Sequence, residues 1–297
     1  MSMEDIKELR ERTGAGVLDC KKALTKKEGD LEKAVEYLRE KGIADAAKKA
    51  GRVAAQGKVN VLTKDDKKNG LICEVNCETD FVAKNDSFQQ LVDELSDHLM
   101  ATDKDEVEQV LSQAWYEDES KDVNTVIKEA IANIGENINL RRFKKINTEG
   151  FLQEYIHLGG KIGVLVDVDG ELNEENQKVA KNVAMHIAAS SPDFLSREDV
   201  DNDTISKEKK IYKEQMLNEG KPEHIIDQIV NGKIDKYYTQ ICLLEQPYVK
   251  DTDISVKDYL EDKEIEINKY VRYEIGEGIE VKKEDFAEEV MSEINKE

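Results

Sequence analysis

The sequence predicts an α+β protein: a small N-terminal helical domain, a core of two related halves with antiparallel sheets, a helical hairpin inserted in the second half, and a C-terminal helix. Three observations predict it. Apolar residues recur at helical spacing through the first fifty residues and again through long stretches of the middle and the tail. Short apolar runs come in pairs joined by polar or glycine-rich turns, as β-hairpins do. The order hairpin, helix, closing strand occurs twice. The expected divisions are 1–52, 53–148, 149–278 with the hairpin at 200–240, and a C-terminal module at 279–297.

The first fifty residues predict three short helices. Ser2 and Asp5 suit a capping box, Ile6 and Leu9 share a face, and Gly14 stops the first helix. Leu18, Cys20, Ala23 and Leu24 mark the second, which ends at Gly29. Asp30 caps the third, with Leu31, Ala34, Val35 and Leu38 on one side and Gly42 as terminator. Residues 43–52, rich in Ala and Lys, read as a helical linker. So small a unit has little core of its own, and some of its apolar surface is expected to meet a partner or the rest of the chain.

The first copy of the repeat opens with a hairpin, Lys58–Leu62 and Leu71–Val75. One helix follows with Phe88, Leu91, Val92, Leu95 and Leu99 aligned, then another with Val123, Val126, Ile127, Ala130, Ile131 and Ile134, ending near Gly135. The strand 138–147 closes the copy. The second copy has Phe151–Leu158 and Lys161–Val168 around Gly159-Gly160, a helix with Val179, Ala180, Val183, Ile187 and Ala188, a helix opened by Ser255 and Asp258, and the strand 267–276. Val75 to His98 is five positions longer than the matching span Val168 to His186, so the first copy carries an insertion within 77–86. The insertion at 200–240 reads as two helices around Asn218–Pro222, with Ile205, Ile211, Tyr212 and Met216 facing Ile225, Ile226, Ile229, Val230, Ile234 and Tyr237. This near-heptad stripe suggests an antiparallel coiled coil. In the tail, Phe286, Val290 and Ile294 align on one amphipathic helix.

Composition limits the chemistry. The 297 residues are 39% hydrophobic and 37% charged, with a net charge of −21. Residues 1–52 hold 13 Lys/Arg and 11 Asp/Glu, so the excess of acid lies in the remainder, a body that repels phosphate backbones. The one basic run, Arg141–Lys145, reads as a solvated strand edge. No apolar run nears the ~20 residues of a membrane helix, the N-terminus lacks an apolar signal core, and four cysteines do not make a disulfide framework. Cytoplasm is the expected compartment.

A search for catalytic or metal chemistry returns none. Gly159–Gly163 sits between two strands with no helix N-terminus after it, so a turn fits better than a phosphate loop. Cys73 and Cys77 lack a histidine partner and read as plain thiols. His98, His157, His186 and His224 are scattered, and His98 and His186 hold matching helix positions, which favours packing. Phe81, in the polar insertion after a strand, has two readings: an anchor folded back on its own loop, or an exposed aromatic wedge.

Several segments carry a family resemblance. Arg10–Gly16 with Asp19–Leu24, and Glu74–Val82, resemble the two signature motifs of the elongation factor Ts family. Ile134–Asn137, Tyr155–His157, Met185–Ala189 and Val271–Gly278 resemble further family segments, in family order over nearly the whole chain. Val17-Leu18 stand where a methionine pair is usual. The resemblance implies a UBA-like three-helix domain, two related α+β halves, a coiled-coil hairpin and a C-terminal helical module. It also implies a guanine-nucleotide exchange factor that binds elongation factor Tu in its GDP state. Such a protein is no enzyme and needs no cofactor, metal, nucleic acid, membrane or small-molecule substrate. Family members differ in whether the hairpin makes a homodimer. By the same resemblance Thr79, Asp80, Phe81 and Val82 disturb the partner's magnesium site. Leu9, Val17, Leu18 and Lys21 touch its nucleotide-binding domain, and Ile134, Gly135, His157 and His186 match other partner-facing positions. For the two histidines, packing and interface both stay open. Two rivals of other classes also stay open: a helical adaptor using residues 1–50, and a nucleotide- or metal-dependent enzyme.

Overall fold

A computed structural model describes residues 2–261, 263 and 265–280. The expected C-terminal helix with Phe286, Val290 and Ile294 lies outside them. The chain forms two compact units, one of 2–58, Glu74–Arg142 and 275–280, the other of Val59–Cys73 and Phe143–Glu274.

In the first unit, α1 (Met3–Thr13) opens on the expected capping box: Ser2 Oγ accepts the Asp5 N–H, and the Asp5 carboxylate accepts the Ser2 N–H. Gly14 closes it in a left-handed conformation. α2 (Val17–Lys26) follows. Asp30 Oδ1 accepts the Lys33 N–H at 3.0 Å and starts α3 (Leu31–Lys49). Ile6, Leu9, Cys20, Ala23, Leu24 and Ala34 make a small buried core.

Gly42 does not end the third helix. α3 runs through it and packs along α7 (Val123–Ile134), and a Cβ on Gly42 would stand 2.9 Å from Ala132 Cβ. The glycine is there for close approach of two helices, and 43–49 is a packed helix with Ala46 buried, not a linker. This is how the undersized N-terminal core is completed.

The remaining elements of the first half are β1 (Gln56–Thr63), β2 (Asn69–Cys77), a one-turn α4 (Asp80–Ala83), α5 (Asp86–Ala101), a short α6 (Val107–Leu111) and, after α7, β3 (Asn139–Asn147). The sheet order is β1-β2-β3. The apolar stripe predicted for α5 is buried at every position. The basic run on β3 is an edge as expected, yet Arg141 and Arg142 are not simply solvated. They hold the fully buried Glu74 carboxylate at 2.9 and 2.5 Å, and Gly276 N–H and Asn76 Nδ2 donate to the same group. A strand carboxylate with no exposure needs such partners, and these two arginines supply the charge.

In the second unit, β4 (Phe151–His157) and β5 (Ile162–Asp169) pair antiparallel, and β8 (Glu266–Glu274) adds to β5, giving β4-β5-β8. Both three-stranded sheets therefore take their last strand beside the second strand of the hairpin, as the repeat predicts. Val164, Val166 and Val168 pack with Val179, Val183 and Ile187 of α8 (Glu174–Ser190). On the Gly159–Gly163 segment, Gly160 has φ 100 in the turn, while a Cβ on Gly163 would meet Val59 at 2.4 Å. Turn geometry and strand packing account for these glycines without a phosphate. The small hairpin β6 (Pro247–Tyr248) and β7 (Asp251–Ser255) is too short and polar to be read from alternation. It leads into α11 (Val256–Glu261), opened by the predicted Ser255–Asp258 pair.

The insertion forms α9 (Asn202–Asn218) and α10 (Glu223–Ile241), packed on each other around Ile205, Met216, Ile226, Val230 and Ile234. Its stems are tied together: the Asp193 and Phe194 N–H groups donate to Ile241 O at 2.9 and 3.0 Å, and Leu243 N–H donates to Phe194 O at 2.8 Å. Replacing 203–239 by a short Gly/Ser linker is therefore expected to leave the second unit folded, because the chain ends it joins are already adjacent. Cooperative thermal unfolding of the excised protein is the check; a molten product would show that the insertion is part of the core.

Candidate partner-binding site

The 78–82 segment is built from its base upward. β2 ends at Cys77, whose Sγ–H donates to Thr79 O at 3.2 Å. Thr79 is the N-cap of α4, its Oγ1 accepting the Val82 N–H at 3.3 Å. Glu136 then clamps this base: its Oε2 accepts the N–H groups of Glu78 and Thr79, both at 3.0 Å, and its Oε1 accepts the Thr79 hydroxyl at 2.6 Å. The clamp is reciprocal, for Glu78 Oε1 accepts the Asn137 N–H at 2.7 Å. Gly135 makes the turn that sets Glu136 in place, capping α7 with φ 94, a value a side chain would resist.

The outcome of this framing is an aromatic ring in water. Phe81 is 82% exposed. That excludes the reading of Phe81 as an anchor folded back on its own loop. Asp80 sits beside it and pairs with Lys84 at 2.8 Å. Val82 turns the other way and lines a cleft of about 430 Å³ together with Ile134, Gly14, Val126 and Ala130. The structure thus brings Val82 and Ile134, 52 places apart and read separately from the sequence, to one cleft.

On the three-helix part, Leu18 is 71% exposed, Val17 is half-exposed, and Lys21 lies one turn further along the same helix, also exposed. Leu9 is different. It has no exposure at all and belongs to the buried core of the three helices, so the expectation that it touches a partner is corrected. His186 needs the same correction. It is fully buried, its Nε2 2.9 Å from Gln246 Oε1 and its Nδ1 accepting the Val249 N–H at 3.1 Å, and burial pulls its pKa below the ordinary histidine value. A neutral imidazole fixed from both sides holds β6 against α8. His98 likewise is buried, stacked on Trp115 with ring centroids 5.1 Å apart. His157 remains partly accessible on β4, its Nδ1 2.9 Å from Tyr155 Oη.

Sequence reasoning passed over two exposed apolar residues beside His157. Ile156 and Leu158 both face solvent, and Leu158 has φ 49 in the hairpin turn. An apolar residue at a turn position, where polar residues are usual, was the available signal. Glu136, within the Ile134–Asn137 segment, carries no local signal of its clamp on Thr79.

Burial pushes the Cys77 thiol up to about 12, so it is no nucleophile. Among the described residues no three His, Cys, Asp or Glu are placed to hold a metal ion, and no helix is long and apolar enough to cross a membrane. A second cleft of about 450 Å³ between α3 and α7 is rich in cations, but Arg39, Lys41 and Lys121 are already paired with Glu129 and Asp19.

The family model described as Elongation factor TS matches residues 78–277, a span that begins at the clamped segment and includes Glu136 and both corrected and accessible histidines. A protein named Elongation factor Ts from Halothermothrix orenii is 66% identical over 296 residues, covering 100% of this chain and 99% of its own length. Two of the same name from Clostridium botulinum, the Loch Maree and Langeland strains, are each 50% identical over 303 residues, covering 99% of this chain and of their own. With similarity of this degree along the full chain, and with the signature residues placed as described, the chain belongs to the elongation factor Ts family of translation elongation factors.

Proposed function

We propose that this protein is a guanine-nucleotide exchange factor that binds elongation factor Tu in its GDP state and speeds GDP release. The observation that carries the reading is Phe81, a large aromatic side chain held 82% in solvent by a base of short hydrogen bonds. Leaving that ring in water is unfavourable unless a partner covers it, and rigidly presented aromatics dominate binding energy at interfaces. In this reading the ring enters the nucleotide-binding domain of elongation factor Tu near its magnesium ion. Mg²⁺ tolerates little departure from octahedral geometry, so a small displacement of its support weakens GDP binding. Linkage then requires the factor to prefer the nucleotide-free partner by the same coupling free energy, and rebinding of nucleotide expels it. Such a role needs neither nucleophile nor cofactor.

The other contacts follow exposure. Val17, Leu18 and Lys21 form one accessible patch, Ile134 and Gly135 another beside Val82, and His157 with Ile156 and Leu158 a third. The test is release of a fluorescent GDP from elongation factor Tu with and without catalytic amounts of this protein; an unchanged release rate would sink the proposal.

Leu18→Ser is expected to leave thermal unfolding unchanged and to weaken binding to elongation factor Tu about 10- to 150-fold, since burying a leucine is worth about 1.5–3 kcal/mol and a serine recovers almost none of it. Titration calorimetry with the nucleotide-free partner reads it. Equal affinities for the two proteins would remove this patch from the interface. Deleting residues 1–50 is a blunter experiment than the sequence suggests, because it also strips α3 from α7 and uncovers the surface around Ala132.

A further inference from the structure

We infer that Glu136 is a positioning residue for nucleotide release, acting through the Thr79–Val82 turn; the inference rests on the exchange reading above. Glu136 comes from the far end of a different element, just past α7, and spends its whole carboxylate on two consecutive residues, Glu78 and Thr79. Those are the last residues before α4. A one-turn helix cannot hold itself, since it closes too few hydrogen bonds to offset the ordering of its residues. Its direction must be set from outside. Three hydrogen bonds to one ionised carboxylate do this, and charge-assisted bonds are about twice as strong as neutral ones. The return bond from Asn137 N–H to Glu78 Oε1 and the Asn137 Nδ2 bond to Arg52 O at 2.8 Å fix the clamp itself.

The geometry separates two jobs. Phe81 carries the contact; Glu136 decides where the ring stands before any contact is made. Losing Glu136 frees the turn to sample other directions, so each encounter delivers the ring correctly less often. Binding through the Leu18 patch does not pass through this turn. The expected signature is a lower maximal exchange rate at saturating factor with a small change in the concentration giving half-maximal rate.

The experiment measures GDP release from elongation factor Tu across a range of factor concentrations for wild type, Glu136→Ala, Glu136→Gln, Phe81→Ala and the Glu136→Ala/Phe81→Ala double variant. Glu136→Ala is expected to lower the maximal rate about 5- to 30-fold. Glu136→Gln keeps the shape and one acceptor oxygen and should recover part of that loss. The double variant should be no slower than Phe81→Ala alone, because a positioned ring that is absent has no position to lose. Independent, multiplying losses in the double variant would overturn the inference, as would a wild-type maximal rate in Glu136→Ala. Should Glu136→Ala fail to fold, Glu136→Gln in the same cycle decides by the same criterion. Wild-type exchange by Phe81→Ala would instead refute the wedge reading itself, and slowed Phe81→Ala beside unaffected Glu136 variants would refute only the positioning role.

Discussion

Phe81→Ala is expected to keep the fold and much of the affinity for elongation factor Tu while slowing GDP release about 10- to 150-fold. The range comes from burial: a phenyl ring transferred from water into an interface is worth roughly 1.5–3 kcal/mol, and about 1.4 kcal/mol is a factor of ten. The fold should not notice the change, because the ring is 82% exposed and contributes little to any core. The loss falls on the rate if the ring acts when the magnesium site is opened, and on affinity if the ring merely adds contact area. Asp80→Ala should act in the same direction and less, since Asp80 offers a charge already shared with Lys84. Stopped-flow GDP release on both variants, with circular dichroism for folding, measures this. A folded Phe81→Ala protein with wild-type exchange would move the mechanism to another residue.

Glu74→Ala should be strongly destabilising to the first unit, at roughly 2–4 kcal/mol. It removes the one carboxylate that Arg141, Arg142, Asn76 and the Gly276 N–H share, and it leaves the two guanidinium groups side by side without it. Both arginines keep some exposure, which lets water recover part of the cost and sets the figure below that of a wholly buried pair. Burial alone would raise the Glu74 pKa, but the hydrogen bonds from Gly276 N–H, Arg141 and Asn76 and the charge of Arg142 outweigh it and hold the group below its ordinary 4.5. The carboxyl is therefore harder to protonate folded than unfolded. Its contribution is complete above pH 4.5 and is lost as pH falls from there through its lower folded value. Urea unfolding of wild type and Glu74→Gln, followed from pH 7 to well below 4.5, should show a steady gap above 4.5 that narrows below it. A constant gap would mean that Glu74 acts through shape and not through charge.

The elements of this protein were written locally. Capping residues Ser2, Asp30 and Ser255, the apolar stripes of α5, α7 and α8, and the glycine-bearing turns each specify an element through interactions within a few residues, which is why they could be read in order. The repeat showed through for the same reason, as did the five-residue excess that singled out Phe81. What the sequence could not contain is which apolar or charged residue meets which distant neighbour. Gly42 looks like a stop until Ala132 is seen against it, because a helix-breaking residue and a close-packing residue are the same residue. Arg141 and Arg142 look like a solvated edge until Glu74 is found beneath them, sixty-odd residues earlier. Leu9 and Leu18 both look like surface or core on a short helix, and only packing of the three helices buries one fully and leaves the other 71% exposed. His186 could bind or pack until Gln246 and the Val249 N–H claim both its nitrogens. Glu136 is one carboxylate among many in an acidic chain, and only the tertiary fold brings it under Thr79, because hydrogen bonds between segments far apart in sequence leave no periodicity to read.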